Sequence, residues 1–151
     1  MASRIVELPA FSVVGMEYQG DPMNGDIGLL WQRFVARESE IAGVSEPRIA
    51  YGLCRLTAPG EMHYVAGFGV EPEHSVPEGM QRFEVPAQKY AVFTHKGTVE
   101  GIGESFQAIY ASRLAELGLE PRQGVTFERY DERFIAPDDP ASEVDLYIPI
   151  Y

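Results

Sequence analysis

Apolar positions along the chain change their period twice, and in the same order each time. Phe11-Ser12-Val13-Val14-Gly15-Met16-Glu17-Tyr18 and Gln88-Lys89-Tyr90-Ala91-Val92-Phe93-Thr94-His95 are rich in β-branched and aromatic residues. Such residues fit a pleated surface, so both stretches predict strands. Each closes on a glycine that permits a turn, Gly20 or Gly97. The spacing then becomes helical. Ile27, Leu30, Trp31, Phe34, Val35 and Ile41 form one stripe, and Ile102, Phe106, Ile109, Tyr110, Leu114 and Leu117 form another. Each stripe predicts one buried helix face. Both helices run to a glycine, Gly43 or Gly118, followed by Glu-Pro at Glu46-Pro47 and Glu120-Pro121. Glycine stops a helix and proline keeps it from restarting. Thr98 is the expected N-cap of the second helix. Two strands close each half, 48–56 and 62–70 around the turn Ala58-Pro59-Gly60, then 126–134 and 143–150 around a loop rich in Pro, Asp and Ser.

The halves are copies. Val6-Glu7-Leu8-Pro9-Ala10, which leads into the first β stretch, returns as Phe83-Glu84-Val85-Pro86-Ala87 before the second. Ile27-Gly28 and Ile102-Gly103 open the two helices, and Trp31-Gln32 and Phe106-Gln107 occupy matching places. The order is β-α-β-β, linker, β-α-β-β. The repeats cover about 3–70 and 81–151, with a proline-bearing linker near 71–80, all within a single domain of 1–151. Segregated helices and strands predict the α+β class with antiparallel pairing. Three strands and one helix bury little surface alone, so the copies are expected to pack about a pseudo-two-fold axis with a central cleft, a favoured place for ligands.

Charge narrows the partners. The 151 residues carry 23 acidic and 12 basic side chains, a formal net charge of -11. Like charges repel, so nucleic acid and anionic membrane are not expected as direct partners, whereas a small hydrophobic or cationic ligand suits the field. A solubilising role for the excess acid is the competing explanation. A single cysteine, Cys54, forbids an internal disulfide and suggests a reducing, cytoplasmic setting. The N-terminal stretch lacks the apolar core of a signal peptide, and no segment has the length of a membrane span.

Motifs for chemistry are sparse. There is no nucleophile elbow and no phosphate loop, and Gly101-x-Gly103 lacks the third glycine of a dinucleotide fingerprint. His63, His74 and His95 lack ligand spacing, so no metal and no cofactor are expected. Cys54 reads as a small buried apolar residue. One constellation stands out in the last two strands. By alternation Val144, Leu146 and Ile148 share a face, expected against the helices, and Glu143, Asp145 and Tyr147 share the other. Glu128, Tyr130 and Glu132 alternate in the same way. If those two polar faces meet, carboxylates sit among tyrosines, a receptor for a lipophilic cation with about 0.5–2 kcal/mol from each cation–π contact. Trp31, Tyr51, Tyr64, Phe68 and Phe106 are further wall residues. An open, water-facing position for the acids is the alternative.

The opening Glu-x-Pro-Ala, its return at Glu84-Val85-Pro86-Ala87, the strand Phe127-Glu128-Arg129-Tyr130 and the terminal Glu143-Val144-Asp145-Leu146-Tyr147-Ile148-Pro149-Ile150 together resemble the GyrI-like small-molecule-binding family, the effector-binding domain of AraC- and MerR-type transcription regulators. The resemblance spans nearly the whole chain. It implies a duplicated, SHS2-like β-α-β-β fold with a central cleft that takes hydrophobic, often cationic, drugs through aromatic rings and an acid. It implies Glu128 and Asp145 as that acid, with Asp145 standing where glutamate is common, and Tyr130 and Tyr147 as adjoining rings. Both repeats use the whole chain, which suggests a stand-alone member without a helix-turn-helix. The function expected is a multidrug-type binder that senses or sequesters its ligand. Two alternatives accompany it. One is a hydrolase of cyclopropane-containing alkylating natural products with Glu128 as acid/base, and the other a protein-interaction module like a gyrase inhibitor.

Overall fold

A computed structural model describes residues 1–22 and 25–151. The chain forms two compact units that cut across the sequence repeats. One is Ala10–Pro86, here the N-terminal unit. The other joins Ala87–Tyr151 to Met1–Pro9, here the C-terminal unit. The predicted α+β class with antiparallel pairing is what is found.

The N-terminal unit holds strands β2 (Phe11–Gly20), β3 (Ala50–Ala58), β4 (Glu61–Val70) and β5 (Gln81–Val85) in the order β3-β4-β2-β5, with helix α1 (Asp26–Arg37). The C-terminal unit holds β1 (Ser3–Leu8), β6 (Gln88–Lys96), β7 (Thr126–Tyr130) and β8 (Glu143–Pro149) in the order β1-β6-β8-β7. Its helical segment runs as α2 (Ile102–Ala108), a π-helical turn (Ile109–Arg113) and α3 (Leu114–Glu116).

Each unit has one strand more than the sequence pattern predicts. The duplicated Glu-x-Pro-Ala segments do not run on into the strands that follow them. β1 ends before Pro9 and β5 before Pro86, because proline has no N–H to give to a ladder. β1 then pairs with β6, with Arg4 opposite Val92 and Val6 opposite Tyr90. β5 pairs with β2, with Ser12 opposite Glu84. Each unit thus takes an edge strand encoded in the other repeat.

Helical periodicity predicts part of each core, while Val35, Tyr110 and Leu117 of the predicted stripes are exposed and Ile41 lies beyond the end of α1. α1 buries Leu30 and Phe34 against Val14, Tyr64 and Ala66. Ile102, Ile109 and Leu114 pack on Val144, Leu146 and Ile148, the β8 face expected to meet the helices. Each such side chain stabilises its unit by about 1.5–3 kcal/mol. The helical segment stops as predicted at Gly118, whose φ of 70° lets its N–H reach Ala115 O while Leu119 N–H reaches Leu114 O. Thr98 is not a side-chain N-cap. It precedes a 3₁₀ turn, Val99–Gly101, and makes no side-chain capping bond there. β7 ends at Tyr130 rather than near Phe134, because the Asp131 carboxylate accepts the Arg133 backbone N–H at 3.0 Å and turns the chain. No helix among the described residues is long and apolar enough to cross a membrane.

Candidate functional site

The register of the last two strands sorts the predicted site residues. Phe127 lies opposite Tyr147, Glu128 opposite Leu146 and Arg129 opposite Asp145. Directly opposed residues of an antiparallel pair project from the same face. Glu128 therefore shares the α2-packed face with Leu146, and the expectation that Glu128 and Tyr130 face the same way as Asp145 and Tyr147 is not met. Alternation sets faces within one strand, but a one-residue change of register inverts the match between two. Glu132 lies beyond the end of β7.

On the α2 side, Glu128 is 7% exposed. Its Oε1 accepts the Tyr130 hydroxyl at 2.7 Å, a contact that follows from the i, i+2 spacing on one strand face. The Tyr130 ring meets Phe134 edge-on at 5.0 Å, and Tyr130, Phe134 and Phe106 all pack on the Ile102–Ile109–Leu146 cluster. A carboxylate in such surroundings costs several kcal/mol unless hydrogen bonds or a counter-charge offset it. The arrangement places one buried carboxylate beside aromatic and aliphatic side chains.

On the opposite face, Asp145 is 1% exposed and enclosed by donors. Arg133 reaches Oδ2 at 2.6 Å, Arg4 of β1 reaches it at 3.3 Å, and the Thr94 hydroxyl donates to Oδ1 at 2.8 Å. Arg133 also grips Asp131 at 2.9 Å, and these two partners hold its guanidinium charged even more firmly than usual. Burial works against ionisation of Asp131, but the side-chain and backbone hydrogen bonds of Arg133 and the charges of Arg133 and Arg129 outweigh it and lower its pKa. A lowered pKa means that the Asp131 contribution is present above the ordinary aspartate range and is lost as pH falls through the folded value. Urea unfolding should therefore show a stability gap between wild type and Asp131→Asn near about pH 7 that narrows as pH falls below the ordinary aspartate range, toward about pH 2. A gap of equal size at both pH values would contradict this. Tyr147 stacks on Phe127 at 4.4 Å beside Tyr90, in an aromatic cluster whose burial pushes the Tyr90 phenol up to about 12.

In the N-terminal unit, Trp31 of α1 donates its indole N–H to the Tyr64 hydroxyl at 3.0 Å. Phe68 meets Phe34 at 5.2 Å on that same helix-packed face. Tyr51 lies on the other face, opposite Gly67, with its hydroxyl donating to Glu46 at 2.6 Å and its ring against Phe11. Cys54 is buried, as expected. A shallow depression of about 620 Å³ on this unit is lined by Tyr18, Leu29, Gln32, Arg33 and Ala36, none of them in the predicted set.

Of the predicted residues, the C-terminal unit thus brings together Glu128, Tyr130 and Phe106, and the N-terminal unit Trp31, Tyr64 and Phe68. Asp145, Tyr147 and Tyr51 belong to other faces. The partners of Asp145 leave no trace in local sequence. Arg4 arrives from an edge strand and Arg133 from a loop.

Comparison with known proteins gives one family match and several solved structures of similar fold. The model of a family described as integron-associated effector binding protein matches residues 4–150. A transcriptional regulator, BrlR of Pseudomonas aeruginosa, is 64% identical over all 151 residues. The chain spans 56% of the length of that relative. Among solved structures, SAV2435 bound to tetraphenylphosphonium is similar with a TM-score of 0.76 at 17% identity, over 100% of this chain and 94% of that one. The EcmrR C-terminal domain is similar with a TM-score of 0.75 at 13% identity, over 99% and 97%.

Proposed function

The chain belongs to the family of integron-associated effector-binding proteins, and on that premise we propose that its effector is a lipophilic aromatic cation held by Glu128. The observation that carries this reading is the buried Glu128 carboxylate, hydrogen-bonded by a neutral tyrosine among aromatic and aliphatic side chains. Asp145, on the other face, is held by Arg4 and Arg133. A lipophilic cation loses little hydration on burial, gains the carboxylate charge, and gains cation–π attraction from ring faces. The tetraphenylphosphonium bound by the similar SAV2435 is a ligand of this chemical class. Tyr130 holds the acid in place, and Phe106 and Phe134 supply apolar wall. Binding without turnover fits a protein that senses or sequesters its ligand, and in a longer regulator the occupied state would be read by the rest of the chain.

Calorimetric titration with tetraphenylphosphonium tests this. Wild type should bind saturably and return the cation chemically intact. Glu128→Gln should weaken binding about tenfold to a hundredfold, the equivalent of one lost charge-assisted contact. A neutral aromatic of similar size should bind both proteins equally. Equal affinity of wild type and Glu128→Gln for the cation would overturn the role of Glu128.

A further inference from the structure

Beyond ligand binding, the C-terminal unit holds a hydroxyl–imidazole pair that the effector site does not use. His95, at the end of β6, is 6% exposed. Its Nε2 lies 2.9 Å from the Thr98 carbonyl oxygen, which can only accept, so Nε2 carries the proton. In the neutral ring Nδ1 is then a bare lone pair, and Ser105 Oγ sits 2.6 Å from it. Ser105 is the donor in that bond. Gly101 lies beside the ring, where an added Cβ would stand 3.2 Å from its Cε1. Ser105 itself, on α2, is only half-buried, and its neighbours Gly103 and Glu104 are exposed. A serine hydroxyl aimed at a base, with the base fixed by a third group, is the arrangement that activates a nucleophile.

We propose that Ser105 is a nucleophile that accepts an acyl group from an activated ester, with His95 as its general base. Oγ attacks the ester carbonyl carbon while its proton passes to Nδ1. The carbon–oxygen bond to the alcohol portion breaks, and the proton leaves with that alkoxide or phenoxide. The products are acyl-Ser105 and a free alcohol or phenol, with no oxidant or other co-reactant needed. Glu100 and Glu104 flank the serine in sequence, so neutral or cationic esters are preferred over anionic ones.

The full chain incubated with p-nitrophenyl acetate provides the test, read by intact mass and peptide mapping. Ser112 is an internal control. It lies exposed on the same helical segment and donates to the Ala108 carbonyl at 3.3 Å. Ser105 should acquire acetyl about a hundredfold faster than Ser112, the scale of general-base assistance. Ser105→Ala should remove that fast phase while circular dichroism shows an intact fold. Equal labelling of the two serines, or acetyl found on His95 instead, would each overturn the proposal.

Discussion

Gly15→Ala is expected to destabilise the protein by about 3 kcal/mol or more, among the larger effects of a single methyl group. Gly15 of β2 lies opposite Gly67 of β4, glycine against glycine. A Cβ on Gly15 would overlap the Ala66 carbonyl oxygen and lie 2.6 Å from Gly67 Cα. The obstructing atoms are backbone, so no side-chain rotation relieves them, and the strands would have to separate where β2 joins β4 to β5. A loss of that size corresponds to about 6–12 °C in Tm for a chain of this length. Gly28→Ala is the matched control. It adds the same methyl on α1 with nothing within 4 Å, and alanine favours a helix, so stability should rise by about 0.5–1 kcal/mol. Thermal unfolding of the two variants beside wild type decides the matter. A Gly15→Ala protein as stable as wild type would mean that β2 and β4 do not approach as described.

Asp145→Ala should cost about 2–4 kcal/mol, and the reason is charge rather than volume. The carboxylate is buried and takes hydrogen bonds from Arg133, Arg4 and Thr94. Removing it leaves Arg4 without that acid while Arg133 keeps Asp131, and breaking a buried pair from one side commonly costs about 3–5 kcal/mol. The lower figure fits here because Arg4 is half exposed and Arg133 about a third exposed, so both can turn toward water. Arg4 fastens β1 to β8, so protection from hydrogen exchange in Ser3–Leu8 should fall more than in α1. Affinity for tetraphenylphosphonium should stay within about twofold of wild type, because the acid proposed for the ligand is Glu128 on the other face. Loss of affinity with stability unchanged would exchange the roles of the two acids.

These two acids show how far local sequence reaches. The alternation Val144, Leu146, Ile148 reads directly as a core face, and the structure packs it on Ile102, Ile109 and Leu114. The stripe through Leu30 and Phe34 is equally legible, as is the stop at Gly118. Asp145 and Glu128 look alike by the same rule, as acids alternating with apolar or aromatic neighbours near the end of the chain. Their environments differ because of Arg4, more than a hundred residues upstream of either acid, and because of the register between β7 and β8.

The amino-acid sequence alone determines the α+β class, the duplication, the two helical segments and much of each core, because periodicity and turn chemistry act over a few neighbouring residues. Only the tertiary structure decides that β1 and β5 leave their own repeats, that Glu128 faces α2 while Asp145 faces two arginines, and that His95 meets Ser105. Strand pairing, register and ion-pair partners are choices among distant segments. They are made by packing and by the cost of leaving a buried charge or backbone group without a partner.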